Sequence, residues 1–148
     1  LDYLNLRGKL IDLYNIDWRV CMNAEKVVFS FFIVLALTLN FGFFLGKLGN
    51  PTDHNIYVLF ATIFVNLVAM GLKLGDRSQV GAVLLSTSIV ANLQLLAGAF
   101  VWGYVTQISE TGLTADNTSV IVSLSGGALV ANIVSVVMLV SETLMSRR

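Results

Sequence analysis

Four long apolar stretches, with no charged side chain in their interiors, limit what this sequence can fold into. They lie at residues 27–46, 55–73, 80–104 and 119–141, and each has roughly the ~17–25 residues of a helix that crosses a membrane. Only 12% of the 148 residues are charged, whereas a soluble domain carries about 25%. The sequence therefore predicts an all-α integral membrane protein, built as a bundle of four transmembrane helices.

The connections between these stretches are short and polar. The clusters KLGNPTDHN, LGDRSQ and ETGLTADNTS separate successive spans and are typical of turns. One proline, one cysteine and no low-complexity run occur in the whole chain. We therefore expect residues 22–148 to form a single four-helix transmembrane domain with no intrachain disulfide.

Basic residues are distributed very unevenly between the two ends of the predicted bundle. With four spans, both termini and the second connection lie on one side of the membrane. That side holds eight of the nine Lys and Arg residues, and the other side holds only Lys47. The positive-inside rule therefore predicts that both termini are cytoplasmic.

The segment before the first span, residues 1–21, has a different character. At 100° per residue its large apolar side chains gather on one half of a helix and its polar ones on the other. This pattern predicts an amphipathic helix at the membrane interface, on the cytoplasmic leaflet or docked on a neighbouring subunit. The alternative is a flank without a fixed place of its own. Because Met22 would make a natural start, we expect a boundary between this segment and the four-helix domain.

The absence of charged and histidine side chains from the span interiors excludes several chemistries. Proton-coupled transport requires a carboxylate within the membrane, and haem binding there requires histidine ligands. A hydrolase requires a nucleophile with a base or a metal cluster. The chain is therefore predicted not to be an enzyme and to use no cofactor or metal. Its zero net charge gives no indication of nucleic-acid binding.

Two residues in the connections attract attention. His54, next to Asp53, could sense pH or bind a cation, but a solvated turn histidine is the commoner case. The Gly-Asp-Arg stretch at residues 75–77 could bind a lipid headgroup or a partner, but a short turn in which Asp76 caps the third helix is the commoner case.

Neutral polar residues recur inside the spans. Asn66, Asn92 and Asn132 each fall close to the middle of a predicted span, and Asn40 lies about one turn, ~5 Å, outward of the middle of the first. An unpaired amide at that depth is costly, so these side chains are expected to face one another, a neighbouring subunit or water. With Gln94 and Ser125 they form a predicted polar layer or pore lining.

Small residues follow the same helices at helical spacing. Such residues let helix backbones approach closely, so they predict helix packing or an oligomer interface, chiefly through the third and fourth spans. The predicted positions are Gly42, Gly46, Ser88, Ala99, Gly103, Ser123, Gly127, Ala131 and Ser135. We therefore expect a homo-oligomer in the lipid bilayer.

Two interpretations of the polar layer stay open. The amides act as structural contacts between helices, or they line a path for ions. The corresponding functions are a non-catalytic accessory or scaffold subunit and a passive ion channel or pore. A small-solute transporter is a third alternative, weakened by the lack of a coupling carboxylate.

Two stretches carry a resemblance: MNAEKVVFSFFIVLALTLNFGFFLG (22–46) and LKLGDRSQVGAVLL (72–85). They resemble a family of short, uncharacterised four-helix proteins from bacterial inner membranes. The likeness runs from about residue 22 to about residue 145. It implies a multi-pass protein of the bacterial inner (plasma) membrane and brings no known active residue.

Overall fold

The computed structural model describes the backbone of residues 2–47, 49–109 and 111–145. Within these ranges it describes the side chains from residue 24 onward and, nearer the N terminus, those of residues 7–9 and 11. Its four α-helices are α1 (Asp2–Phe44), α2 (Ile56–Lys73), α3 (Gln79–Gln107) and α4 (Ala115–Met145). No strand occurs in the described ranges, so the predicted all-α bundle is confirmed.

Helix α1 is much longer than a membrane span. Its 43 residues measure ~65 Å at 1.5 Å per residue, about twice the ~30 Å of a hydrocarbon core. The part apolar enough to cross is Ala24–Phe44. No helix end separates this span from the N-terminal segment, because α1 continues through residues 21 and 22. The segment is therefore helical and extends the span directly, while its place at the membrane interface stays a prediction.

The lipid-facing surface is apolar along every helix. All four helices are long and apolar enough to cross a membrane. Large side chains such as Phe31, Phe64 and Phe100 are more than half exposed on the outside of the bundle. Such a surface is unfavourable in water and favourable in lipid. The chain is therefore a multi-pass membrane protein.

The helices form a closed ring in chain order. Each packs against its neighbours in sequence, α4 returns to α1, and the contact between α3 and α4 is the most extensive. Buried positions alternate at intervals of three and four residues, as in left-handed bundles; on α3 they are Gly81, Leu84, Ser88, Ala91, Leu95 and Gly98. The buried stripes contain many small and polar residues, so the interior is no more apolar than the lipid face.

Two hydrophobic clusters fill most of the bundle interior. The larger runs from the His54 end, near the first and third connections, to the middle of the bundle: it includes Leu59 and Leu95 and reaches Ala91 and Ala131. The cluster at the Lys73 end, near the second connection, consists of Phe29, Ile33, Ala69 and Leu84. Asn66 on α2 lies between Ile63 of one cluster and Ala69 of the other. The buried asparagines therefore lie beside the inner end of the larger cluster and not in a separate layer.

The start of α3 differs from its prediction. Ser78 is the N-cap, since its Oγ accepts a hydrogen bond from the Gly81 N–H at 2.9 Å. Asp76, the predicted cap, lies too early in the chain and holds the turn: it accepts from the Ser78 N–H and from Lys73 Nζ, both at 2.9 Å. The Ser78 N–H, foremost, and Lys73 lower the pKa of Asp76 to about 2.

Candidate functional site

Each helix contributes one asparagine to the interior. Asn40, Asn66, Asn92 and Asn132 are at most 3% exposed. Buried amides are normally fully hydrogen-bonded, because an unpaired polar group is costly away from water. The hydrogen-bond partners of these side chains therefore distinguish structural contacts from functional groups.

Asn40 is fully paired across the α1–α4 contact. Its amide lies 2.6 Å from the Oγ of Ser125, which is also buried. With the amide nitrogen turned toward Ser125, the Asn40 oxygen accepts a hydrogen bond from the Leu129 N–H at 2.9 Å. This arrangement joins two helices and leaves neither side chain without a partner, as expected of a structural contact.

Asn66 and Asn92 bond within their own helices. The Asn66 amide donates to the Thr62 carbonyl at 2.8 Å, and the Asn92 amide donates to the Ser88 carbonyl at 2.9 Å. Asn92 also faces the sulfur of Met70 on α2 at 3.8 Å. Its Oδ1 has no partner among the described residues. Asn92 is therefore only half satisfied.

Asn132 makes no side-chain hydrogen bond at all to the described residues. Its exposed fraction is 0%, yet both Oδ1 and Nδ2 are without a partner. Leaving a buried polar group unpaired costs ~1–3 kcal/mol. A residue that served only to join helices would be expected to reach a partner, as Asn40 does.

Gln94 lies beside the same helix pair. Its Oε1 is buried and unpaired, while its side chain covers Gly127 on α4. A Cβ added at Gly127 would come 2.6 Å from the Gln94 Nε2. Only a glycine therefore leaves space for this amide against α4.

Further along the same contact, Thr87 on α3 meets Ser135 on α4, with their hydroxyl oxygens 2.6 Å apart. We call the strip from the Gln94–Gly127 contact to the Thr87–Ser135 contact, with Asn92 and Asn132, the α3–α4 seam. Residues 87 to 94 span ~10 Å along α3, at 1.5 Å per residue. The seam therefore places polar atoms along about a third of the ~30 Å hydrocarbon core.

The unpaired atoms are concentrated in this seam. Of the described side chains, those with a buried and unpartnered nitrogen or oxygen are Asn92, Gln94 and Asn132. Buried amides of this kind are the usual partners of internal water or of a polar ligand. The predicted polar layer thus divides into a paired contact at Asn40 and Ser125 and an unpaired group in the seam.

The predicted small-residue positions also divide. Most are used inside the chain: Ser88, Ala131 and Ser135 are buried, Ala99 is half-buried, Gly127 lies under Gln94, and Gly46 lies under His54. Gly42 and Gly103 have open space where a Cβ would stand, and Ser123 is exposed. These three are therefore the predicted interface positions that another subunit can still reach.

His54 is a structural residue that sequence reasoning missed. It is 4% exposed, so the expectation of a solvated turn histidine is wrong. Its Nδ1 lies 2.9 Å from the Phe43 carbonyl and its Nε2 3.3 Å from the Lys47 carbonyl, both at the end of α1. Carbonyl oxygens only accept, so a neutral ring satisfies one of them and a protonated ring both. The only sequence signal was Gly46, whose missing side chain makes space for the ring.

Metal-binding side chains do not cluster in the described part of the chain. No three His, Cys, Asp or Glu side chains come together there in a group that could hold a metal ion. The expectation that the chain is not an enzyme stays a prediction.

The comparisons with known proteins give one match. The Family of unknown function (DUF6394) matches residues 53–143, beginning after the first span, whereas the sequence resemblance starts at about residue 22. No curated protein and no solved structure matches the chain. Because the match covers more than half of its length, the chain belongs to the family of unknown function DUF6394.

Proposed function

We propose that this protein is a passive channel for a small ion, with the α3–α4 seam as the polar part of its path. The observation that carries the proposal is Asn132, fully buried with both amide atoms unpaired. Water or an ion within the seam would complete its hydrogen bonding. Neutral amides can replace part of an ion's hydration without trapping it by a fixed charge.

The two hydrophobic clusters would close this path. One occupies the Lys73 end, and the other extends from the His54 end to Ala91 and Ala131, beside Asn92 and Asn132. Hydrophobic constrictions gate channels by excluding water. In this proposal the structure is a closed state, and opening requires α3 and α4 to separate along the seam.

The proposed setting is the bacterial inner membrane, with both termini cytoplasmic. The excess of Lys and Arg at the Lys73 end and at the termini supports this orientation. The proposed assembly is a homo-oligomer that meets through the outward-facing Gly42, Gly103 and Ser123, because small residues permit close helix contact in lipid.

Ion flux into liposomes that contain the purified protein tests the channel proposal. We expect flux for the wild type and its loss for Asn132→Leu and Gln94→Leu, since each replaces a seam amide by an apolar group. Ile133→Leu is the matched control, because Ile133 is the next residue on α4 and is 46% exposed toward lipid. Wild-type protein that is folded and passes no common cation or anion would contradict the proposal.

A non-catalytic scaffold subunit is the second candidate, and the length of α1 favours it. Roughly half of this helix extends beyond its apolar span, Ala24–Phe44, and offers a rigid arm for a partner. Removal of residues 1–21 distinguishes the two functions. A channel keeps its flux without the arm, whereas a scaffold shows no flux with or without it and loses its partner when the arm is removed.

A further inference from the structure

A mixed-charge cavity lies at the Lys73 end of the bundle. Its volume is about 360 Å³, and it is lined by the N-terminal part of the first span, the end of α2, the second connection and the C-terminal part of α4. Small-molecule sites usually measure ~300–1,000 Å³, so the space suits a small group. Because three apolar spans end here, the cavity lies where hydrocarbon meets the lipid headgroups.

Two of the charged side chains that line the cavity, Lys73 and Asp76, are paired with each other. Lys73 Nζ forms an ion pair with Asp76 at 2.9 Å and also lies 4.4 Å from the centre of the Phe29 ring. Asp76 is further held by the Ser78 N–H. These contacts form a fixed wall rather than a set of free binding groups.

Four other charged side chains line the same cavity: Glu25, Lys26, Arg77 and Glu142. None of them forms an ion pair or a side-chain hydrogen bond with the residues that the structure describes. The free charges are two positive and two negative. A ligand that carried only one charge would leave two of them facing a group of like sign.

We propose that this cavity binds the headgroup of a zwitterionic phospholipid, phosphoethanolamine, with its phosphate on Arg77 and Lys26 and its ammonium on Glu142 and Glu25. Arginine suits phosphate because its guanidinium donates two parallel hydrogen bonds, and a primary ammonium donates to carboxylates.

Charge complementarity selects among phospholipids. A phosphatidylglycerol headgroup is anionic, and its glycerol hydroxyls carry no positive charge to balance Glu25 and Glu142. A choline headgroup has no N–H to donate, and it is usually recognised by a cage of aromatic faces. Here the face of Phe29 is occupied by Lys73. Ethanolamine is therefore the headgroup that the cavity fits.

Native mass spectrometry of the full chain tests this site. The protein is taken into micelles that contain equal amounts of phosphatidylethanolamine, phosphatidylglycerol and phosphatidylcholine, and the retained lipids are counted. We expect phosphatidylethanolamine to exceed each of the others by about tenfold, which corresponds to about 1.4 kcal/mol. Arg77→Gln and Glu142→Gln should each abolish that preference, and both are surface changes that leave the bundle intact. Lys47→Gln, at the opposite end, is the control and should retain it.

Two results would overturn the proposal. Equal retention of the three lipids by the wild type would show that the cavity does not distinguish between headgroups. A preference unchanged in both Arg77→Gln and Glu142→Gln would place the lipid elsewhere. Soluble phosphoethanolamine, added at the same concentration as the lipid, distinguishes the source of the group. It should leave the bound lipid in place, and full displacement at equal concentration would indicate a free solute as the ligand.

Discussion

The α1–α4 contact and the α3–α4 seam use the same residue type in opposite ways. At the first, Asn40 has its hydrogen bonds completed by Ser125 and Leu129. At the second, Asn132 is equally buried and has no partner among the described residues. The difference shows that a buried asparagine in a membrane helix is not by itself a structural contact. Burial and hydrogen bonding therefore have to be considered separately for each asparagine.

The largest expected effect is at Gly127, where the seam is most closely packed. Gly127→Leu forces the Gln94 side chain away from α4, and overpacking of this kind costs ~1–3 kcal/mol. We expect a loss of about 3 kcal/mol in the free energy of unfolding, the upper end of that range, measured by denaturant titration in micelles. Gly103→Leu is the matched control on α3, because a Cβ there meets open space and the fold should keep its stability. Equal losses for the two variants would contradict the packing described for the seam.

The control at Gly103 also tests assembly. If Gly103 lies between subunits, Gly103→Leu leaves the fold stable and dissociates the oligomer, as seen by mass measurement in nanodiscs. A wild-type protein that is strictly monomeric would overturn the predicted homo-oligomer.

The next largest effect is expected at the α1–α4 contact, where the asparagine is paired. Asn40→Leu removes an amide that joins α1 to α4 and leaves the Ser125 hydroxyl without its partner on α1. Removing one partner of a buried hydrogen bond costs ~1–3 kcal/mol, and we expect about 2 kcal/mol. The same denaturant titration measures it. An unchanged stability would mean that the α1–α4 hydrogen bonds do not stabilise the fold. The contrast between a structural contact at Asn40 and an unpaired amide at Asn132 would then be wrong.

A smaller loss is expected at His54, on the same side of the comparison. His54→Ala removes the ring that lies within hydrogen-bond distance of the Phe43 and Lys47 carbonyls at the end of α1. Because water can reach part of this end, we expect about 1 kcal/mol, the net value of a typical hydrogen bond. Lys47→Ala, in the same connection and with an exposed side chain, is the control. An equal effect of the two variants would mean that the histidine ring does not hold the end of α1.

The smallest effect lies outside both regions and depends on pH. The pKa of Asp76 is lowered from 3.8 to about 2 in the folded chain, chiefly by the Ser78 N–H. Its ionised form therefore stabilises the fold above pH 3.8, and this contribution disappears as the pH falls toward 2. Because the Asp76 side chain is partly exposed, solvent screens its interactions and the gain is small. The stability difference between wild type and Asp76→Asn should shrink as the pH falls from 3.8 toward 2. A difference that grew over this range would contradict the lowered pKa of Asp76.

Much of the membrane architecture follows from the sequence, because the cost of charge in lipid marks the four spans directly. The asparagines could also be located, since polar residues in such spans are rare. Their pairing could not, because it depends on which helices become neighbours. The interior here is as rich in small and polar residues as in apolar ones, so no difference in hydrophobicity distinguishes Gly127, inside the chain, from Gly103, outside it.

Two other differences have local causes. The residues around His54 in the sequence are polar and typical of a solvated turn. The burial of its ring over Gly46, at the end of α1, follows only from the fold. The expected boundary at residue 22 rests on a change from an amphipathic to an apolar pattern. Both patterns have helical periodicity, so the backbone continues through the change without a break.

The free energy of unfolding of Asn132→Leu tests most directly whether the seam amide is there for function rather than for packing. Leucine has the branched shape and the same number of heavy atoms as asparagine and needs no hydrogen bond, so replacing an unpaired amide should be neutral or stabilising. We expect a stability within about 0.5 kcal/mol of the wild type, or above it. A loss comparable to that of Asn40→Leu would show that Asn132 is a structural contact and would contradict the account.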